Sequence, residues 1–520
     1  MAKICLRLTA KTVGRDLEIL EKYRKYADIA ELRVDCLDPD ERFLIRRFPE
    51  QAGMPVILTI RRSKDGGQYI GGEGARINLM ARGLAFADTD RRRNFAYLDV
   101  ESDLNVPSLE EAARTFGTRI IRSWHNTQKT DEDLPGIIRS MSRLGDEIVK
   151  VSVTANSISD VLNLYRAGKE CAGTEKILVA MGNYGMFCRI LAERFGSYLS
   201  YADAFSEPDT VPAAPGQIDV RELTELYRFR NISDMTKIYG EVGFPIKKPG
   251  GPDFFNTVFR LEDIDAVFAP FPTDSIESFM ELADELGVAG MSVTVPYKET
   301  VLPFLAERSP PARIIGACNT LIRDSQGWFG TNTDLQGFSD SLLHFTGRTN
   351  LKRKRVTLIG AGGLAKAAAS ELHRLGAKVL ILNRTLHKAR DLALPYKFAW
   401  GGLGSRGVEM MEYYHDIIIQ ATPAGMIGID TDDTDGTSYP LDTKYPMDIL
   451  KMYRFSGREK VMDFVYEPEM TPFLKRAAAA GCKVINGYDM LIRQARNQYA
   501  VFFGKDFPEY LLPRVQFGKN

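Results

Sequence analysis

RVTLIGAGGLAKAAASELHRLGAKVLILNRT, residues Arg355 to Thr385, decides how the second half of the chain folds. An apolar run, Val356 to Ile359, meets a glycine cluster; an Ala/Leu-rich helical pattern follows through Leu375, and a second apolar run occupies Val379 to Leu382. Strand, tight turn, helix and strand make a βαβ unit. Gly360, Gly362 and Ala365 fit G-x-G-x-x-G/A, with Ala361, Gly363 and Leu364 filling the spacing. Missing or small side chains there let the backbone approach a pyrophosphate at the helix N-terminus, so this turn is expected to bind a dinucleotide. Where an acidic residue normally closes the second strand and holds a ribose 2′-hydroxyl, the chain has Asn383, Arg384 and Thr385, with Lys388 one turn on. A cation at that place suits a 2′-phosphate, which points to NADP rather than NAD.

Working outward, 520 residues with 68 basic and 68 acidic side chains and 44% hydrophobic content predict a soluble globular protein of about three domains and give no reason to expect a nucleic-acid partner. The N-terminal MAKICLRLTA lacks a long apolar core and no run approaches a bilayer span, so no membrane partner and a cytosolic location are expected. Cys5, Cys36, Cys171, Cys188, Cys318 and Cys482 lie far apart without a CxxC pair, as reduced core thiols do. His125 is the sole histidine before His344, which excludes a histidine metal cluster in the first half; no metal is expected.

In the first 230 residues, eight short apolar runs recur at about 3–8, 29–35, 55–61, 95–100, 118–124, 147–153, 175–181 and 199–206. Stretches with helical periodicity separate them, such as Ile137 to Leu144 and Ile158 to Tyr165. Eight β/α repeats predict a (β/α)8 TIM barrel. Its strands carry polar residues that a buried strand should not. Glu31 and Arg33 alternate within AELRVD and share a face, Arg61 ends VILTIR, His125 follows RIIRSW, and Lys150 sits inside EIVKVSV. Such residues on separate strands gather on one rim of a barrel, where barrel active sites lie.

ELRVD, TIR followed by GG, SWH, the lysine strand, GxxxR at Gly185 to Arg189 and APGQ at Ala214 to Gln217 occur in order across this half. Together they resemble type I 3-dehydroquinate dehydratase. The resemblance implies that Lys150 forms an imine with the substrate ketone while His125 moves protons, and that Glu31, Arg33, Arg61, Arg189 and Gln217 hold hydroxyls and the carboxylate, with Met181 lining the pocket. Imine formation needs a neutral amine, obtained by burial or cationic neighbours, and histidine titrates near neutrality. The chain departs from the family at Asp65, where a longer Glu usually assists the histidine, and at Ala213, where a Ser hydroxyl is often found.

A new domain starts after a short connection near Asn231 to Thr236, with apolar runs at Ile238 to Val242, Ala266 to Ala269 and Val288 to Val295. GMSVTVPYKE, GACNT, TNTD, DFVYEPEMTPFL and MLIRQA resemble shikimate dehydrogenase. That resemblance implies Lys298 and Asp334 as the catalytic pair, Thr294, Asn319, Tyr466 and Gln494 as substrate ligands, and Phe464 and Gly487 beside the nicotinamide. Related enzymes grip the substrate carboxylate with two serines where this chain has Pro249 and Gly251; glycine-rich backbone N–H groups or Lys247 and Lys248 are placed to receive it instead. Within the segment from Gly425 to Lys460, Thr431 occupies the first ligand position of a calcium loop and Asp442 replaces its closing glutamate, so a surface loop is expected.

The expected architecture is α/β: residues 1–230 the barrel, 231–345 a substrate-binding domain, 346–487 a Rossmann NADP-binding domain, and 488–520 a terminal helix returning to the substrate domain. The function implied is a bifunctional shikimate-pathway enzyme of aromatic amino acid biosynthesis, dehydrating 3-dehydroquinate and reducing the 3-dehydroshikimate formed to shikimate. The alternatives are a second half that acts on quinate or a related acid, and a non-catalytic metabolite-sensing regulator. Oligomeric state stays open.

Overall fold

The computed structural model describes residues 1–85, 89–141, 145–211, 215–246, 250–425 and 452–515. Ala213, Ala214, Lys247, Lys248, Pro249, Thr431 and Asp442 lie outside the described residues. By packing, the chain divides into two compact units, Met1–Val295 with the residues from Pro513 onward, and Pro296–Leu512.

The first unit opens with eight strands: β1 (Lys3–Leu8), β2 (Ile29–Arg33), β3 (Val56–Thr59), β4 (Tyr97–Glu101), β5 (Arg119–Asn126), β6 (Ile148–Thr154), β7 (Lys176–Met181) and β8 (Leu199–Ala202). Each pairs in parallel with its neighbours, and β1 joins β8. The ring closes between β7 and β8 through a parallel bridge, Lys176 with Ser197, where the Tyr198 N–H donates to the Lys176 carbonyl at 2.6 Å. All eight expected strands are present, because a parallel strand covered by helices outside and side chains inside reads as an unbroken apolar run. Cys5, Ile29, Ile57, Tyr97, Ile121, Ile148, Ile177 and Leu199, one from each strand, form an apolar layer across the lumen.

Outside the ring, Arg122 of β5 is fully buried and forks onto Glu147 at 3.0 and 2.9 Å while reaching Glu110 at 3.1 Å. Glu110 lies on the helix Pro107–Thr115, so this cluster fixes that helix to the barrel.

After the barrel, β9 (Lys237–Gly243), β10 (Ala266–Pro272) and β11 (Val288–Val293) run parallel in the order β10-β9-β11. They pack with the helices Gly250–Leu261 and Ile276–Leu286. This small sheet is joined to the barrel by more than its connecting chain. Arg166, on the barrel helix Ile158–Glu170, meets Glu285 and Glu281 at 2.8 and 3.1 Å, and the Tyr165 hydroxyl donates to the Glu285 carbonyl at 3.0 Å. Tyr184 stacks on Phe244, and Phe187 meets Phe271 edge-on at 5.0 Å.

The second unit contains β12 (Glu307–Arg308), β13 (Thr320–Asp324) and β14 (Gly327–Thr331). β13 and β14 form an antiparallel hairpin across Ser325 and Gln326, which sequence periodicity did not announce because Arg323 and Asp324 break the apolar alternation. A six-stranded parallel sheet follows: β15 (Arg355–Ile359), β16 (Lys378–Asn383), β17 (Ala399–Gly402), β18 (Ile417–Gln420), β19 (Lys460–Asp463) and β20 (Lys483–Ile485). Its order, β17-β16-β15-β18-β19-β20, reverses beside β15. That topological switch point is where doubly wound sheets bind nucleotides, and the glycine turn emerges there. The terminal helix Tyr488–Phe503 packs against the helix Asp334–Thr346 so closely that a Cβ on Gly337 would lie 3.1 Å from the Gln494 nitrogen.

Replacing Arg122 with Met would strand Glu147 and Glu110 in the barrel wall. We expect a loss of about 3 kcal/mol, read as a lowered urea midpoint of the barrel transition.

Candidate active sites

Side chains alternate along each barrel strand, so the residue two positions beyond each member of the apolar layer also faces the lumen. That second layer is Arg7, Glu31, Thr59, Asp99, Ser123, Lys150, Val179 and Tyr201. Its members touch one another. Lys150 Nζ lies 3.0 Å from Asp99, 3.8 Å from Glu31 and 4.5 Å from the centre of the Tyr201 ring; the Thr59 hydroxyl donates to Glu31 at 2.9 Å and Ser123 donates to Asp99 at 2.6 Å. Lys150 is 5% exposed, so its amine is enclosed. Of the two means expected to condition that amine, burial is present, whereas the nearest charged groups are acidic, because strand register sets Asp99 and Glu31 in the same layer.

One alternation higher, at the C-terminal rim, stand Arg33, Arg61, Glu101, His125 and Met181. Arg61 is held from both sides, by Asp99 at 2.6 Å and by Glu101 at 2.8 Å, and donates to Ser123 at 3.0 Å. Glu101 is in turn gripped at 2.7 Å by Arg76, a fully buried residue of the helix Glu73–Leu84. Burial alone would raise the Asp99 carboxyl, but the Arg61 and Lys150 cations outweigh it and hold Asp99 well below the usual carboxylate range. His125 is driven well below the ordinary imidazole value, first by burial and then by the Arg61 and Lys150 cations. It is therefore neutral at pH 7, and its buried Nδ1 has no hydrogen-bond partner among the described residues.

Arg33 pairs with Asp35 through two bonds of 3.0 and 2.8 Å. Arg189 donates to Gln217 at 2.5 Å and to the Ala180 carbonyl at 2.8 Å. Asp65 ends a short 3-10 turn and ion-pairs with Arg62 at 2.6 Å; no described hydrogen bond joins it to His125. Asp99, Glu101, Ser123 and Tyr201 were not among the expected site residues. YLDVE carries two acids two residues apart, the same alternation that exposed Glu31 and Arg33, and is where Asp99 and Glu101 were legible.

In the second unit, Lys298 Nζ lies 2.7 Å from Asp334, the first residue of its helix, where the backbone dipole favours a carboxylate. The second Asp334 oxygen accepts from the Asn319 amide at 2.6 Å. Asn319 is fully buried, with its carbonyl accepting from the Thr333 N–H and the Thr320 hydroxyl at 2.8 Å each. An amide so committed orients Asp334. Gln494 is half-buried on the terminal helix, and Tyr466 follows β19. Thr294, belonging to the first unit, donates its N–H to the Val242 carbonyl at 2.9 Å. Gly251 is crowded: a Cβ there would lie 2.7 Å from the Phe268 ring.

The glycine turn fits a dinucleotide. Gly360 has φ +122° and a Cβ would fall 2.7 Å from the Ala421 carbonyl, while nothing lies within 4 Å of where side chains at Gly362 and Gly363 would project. Those two glycines are exposed at the start of the helix Gly363–Arg374, and Ala365 is packed inward. Asn383 holds the following loop by donating to the Thr385 carbonyl at 3.1 Å, with Arg384 half-buried and Lys388 exposed beyond it. Phe464 packs edge-on against Phe338 at 5.6 Å, and a Cβ on Gly487 would strike the Phe464 carbonyl at 2.1 Å.

A barrel whose lumen centres on an enclosed lysine, followed by a lysine–aspartate pair and a nucleotide-type glycine turn, defines a two-enzyme chain of lyase and oxidoreductase type. Residues 4–234 match the type I 3-dehydroquinase family, 242–321 the shikimate dehydrogenase substrate binding domain, and 344–447 the shikimate / quinate 5-dehydrogenase family. The chain is 30% identical over 531 residues to the chloroplastic bifunctional 3-dehydroquinate dehydratase/shikimate dehydrogenase of Arabidopsis thaliana, covering 98% of this chain and 83% of that one. It is 28% identical over 515 residues to the shikimate biosynthesis protein AroDE of Chlamydia pneumoniae, covering 98% and 96%. Its second half is 34% identical over 298 residues to the shikimate dehydrogenase (NADP(+)) of Desulforamulus reducens, covering 55% of this chain and 96% of that one. The chain belongs to the family of bifunctional 3-dehydroquinate dehydratases/shikimate dehydrogenases.

Because the folded imidazole binds its proton more weakly than an unfolded one, the unfolded chain holds more protons as pH falls below about 6.5, and stability declines there. In an NMR titration of the five histidines, we expect the His125 ring to show no inflection near 6.5, and His125→Phe to flatten the acid-side loss of stability.

Proposed function

We propose that the barrel dehydrates 3-dehydroquinate through an imine on Lys150, and that the second half reduces the resulting 3-dehydroshikimate with NADPH. The observation that carries the barrel assignment is the enclosed Lys150 amine beneath a neutral His125. Lys150 adds to the ketone and water leaves to form the imine. His125 takes the proton from the adjacent carbon and returns it to the departing hydroxyl, so that one water is lost from the ring. Hydrolysis of the imine then frees the enone and restores the amine. Asp99 orients Lys150, Glu31, Arg33 and Arg61 take hydroxyls, Arg189 and Gln217 take the carboxylate, and Met181 lines the ring. Asp65 acts on His125 only after leaving Arg62.

In the second half, bound NADPH supplies hydride. Lys298 and Asp334 pass a proton to the carbonyl oxygen, with Asn319 holding Asp334 in register. Tyr466 and Gln494 bind hydroxyls. Gly360 to Ala365 cradle the pyrophosphate, Arg384 and Lys388 meet the 2′-phosphate, and Phe464 and Gly487 flank the nicotinamide. The Desulforamulus reducens relative is a shikimate dehydrogenase (NADP(+)), which supports this cofactor. All six cysteines are free thiols, in keeping with work in the cytosol.

Borohydride added with 3-dehydroquinate should leave a mass adduct on the Lys150 peptide; turnover without that adduct defeats the imine. Lys298→Ala should lower NADPH oxidation with 3-dehydroshikimate by about a thousandfold while enone formation from 3-dehydroquinate continues. Quinate, assayed with NADP in the same preparation, should be the poorer substrate.

A further inference from the structure

The second lumen layer holds one cation besides Lys150, and the mechanism above does not use it. Arg7 is paired in register with Glu31 and stands two residues beyond Cys5 of the apolar layer. Its side chain is 16% exposed, and its Nε lies 3.2 Å from Asp203 Oδ1, on the strand end after β8. Both atoms are buried, and neither makes a hydrogen bond to a described residue. The other oxygen of Asp203 is occupied: it accepts from Gln217 at 3.2 Å, and Gln217 accepts from Arg189. The segment after β8 is held over β1 by a bridge between Ala10 and Thr210, and a cavity of about 380 Å³ is bordered by Arg7, Thr9 and Asp203.

Arg7 Nε and Asp203 Oδ1 compensate each other's charge as an ion pair but leave a hydrogen-bond donor and an acceptor unused, and a hydroxyl group answers both, since it accepts and donates at once. We propose that Arg7 and Asp203 bind a ring hydroxyl of the barrel's substrate, Arg7 donating to its oxygen and Asp203 accepting its proton. This rests on the barrel reading above. Asp203 thereby ties the hydroxyl site to the carboxylate-binding pair Gln217 and Arg189, so the two ends of a small polyhydroxy acid are read by one connected set of side chains.

The test uses the full chain. Arg7→Gln and Asp203→Asn should each raise the barrel's KM for 3-dehydroquinate about tenfold or more, with kcat changed less than about threefold. Arg7→Lys should recover part of the loss. A substrate analogue lacking the hydroxyl should cost the unaltered enzyme the same factor and the Arg7→Gln enzyme nothing further. Reduction of supplied 3-dehydroshikimate reports that each variant is folded. An unchanged KM in either variant, with only a lowered melting temperature, makes the pair structural and overturns the proposal; if Arg7→Gln does not fold, the KM of Asp203→Asn decides. Absence of a Lys150 adduct in the unaltered enzyme would sink the barrel reading itself, whereas an adduct with unchanged KM in the variants sinks only this inference.

Discussion

Asp99 is the constraint on which the barrel site depends. It is a buried carboxylate shared by Arg61 and Lys150, with Ser123 donating to its other oxygen. A charge in that position is tolerable only because the cations beside it are themselves fixed, Arg61 by Glu101 and Glu101 by Arg76. The result is an alternating series of charges running from the helix Glu73–Leu84 into the lumen and ending at the Lys150 amine. Each member limits the rotamers of the next, so the amine is aimed before substrate arrives. Burial, and after it the cations of the same series, keep His125 uncharged, so one arrangement fixes the Lys150 amine and leaves a neutral imidazole above it.

The dehydrogenase half uses a smaller version of the same device. Lys298 and Asn319 each take one oxygen of Asp334, so the carboxylate has no freedom to turn. Asn319 holds this position by spending its carbonyl on backbone and hydroxyl donors of its own neighbourhood. The glycine turn adds the complementary requirement of empty space: Gly360 must approach Ala421, and Gly362 and Gly363 must leave room.

Much of this was legible in the sequence. The eight apolar runs gave the barrel because parallel strands covered on both faces are continuously apolar, and Lys150 was conspicuous inside one of them. The glycine turn was legible because its spacing and flanks are local. What escaped was what depends on register between strands distant in sequence. Asp99 and Glu101 alternate in YLDVE as plainly as Glu31 and Arg33 do in ELR, yet nothing local says that Asp99 faces Lys150, 51 residues away. Arg7 was hidden in KICLRL, because nothing local says that it faces Asp203, which lies beyond β8. The commitment of Asn319 to Asp334 likewise needs the hairpin β13–β14 to bring GACNT and TNTD side by side. The crowding at Gly251 arises from Phe268, contributed by β10 to the helix packed on it.

The contact between the barrel helix Ile158–Glu170 and the helix Ile276–Leu286 bears on whether the two can be parted. Arg166, Tyr165 and Phe187 belong to the lyase, while Glu285, Glu281 and Phe271 belong to the lobe that begins the reductase. The joint is therefore a shared wall with ion pairs and aromatic faces on both sides, rather than a tether. Cutting the chain near Asn231 and parting the pieces would bare Phe271 to water and leave Glu285 without its arginine, so each piece would lose one face of a packed wall.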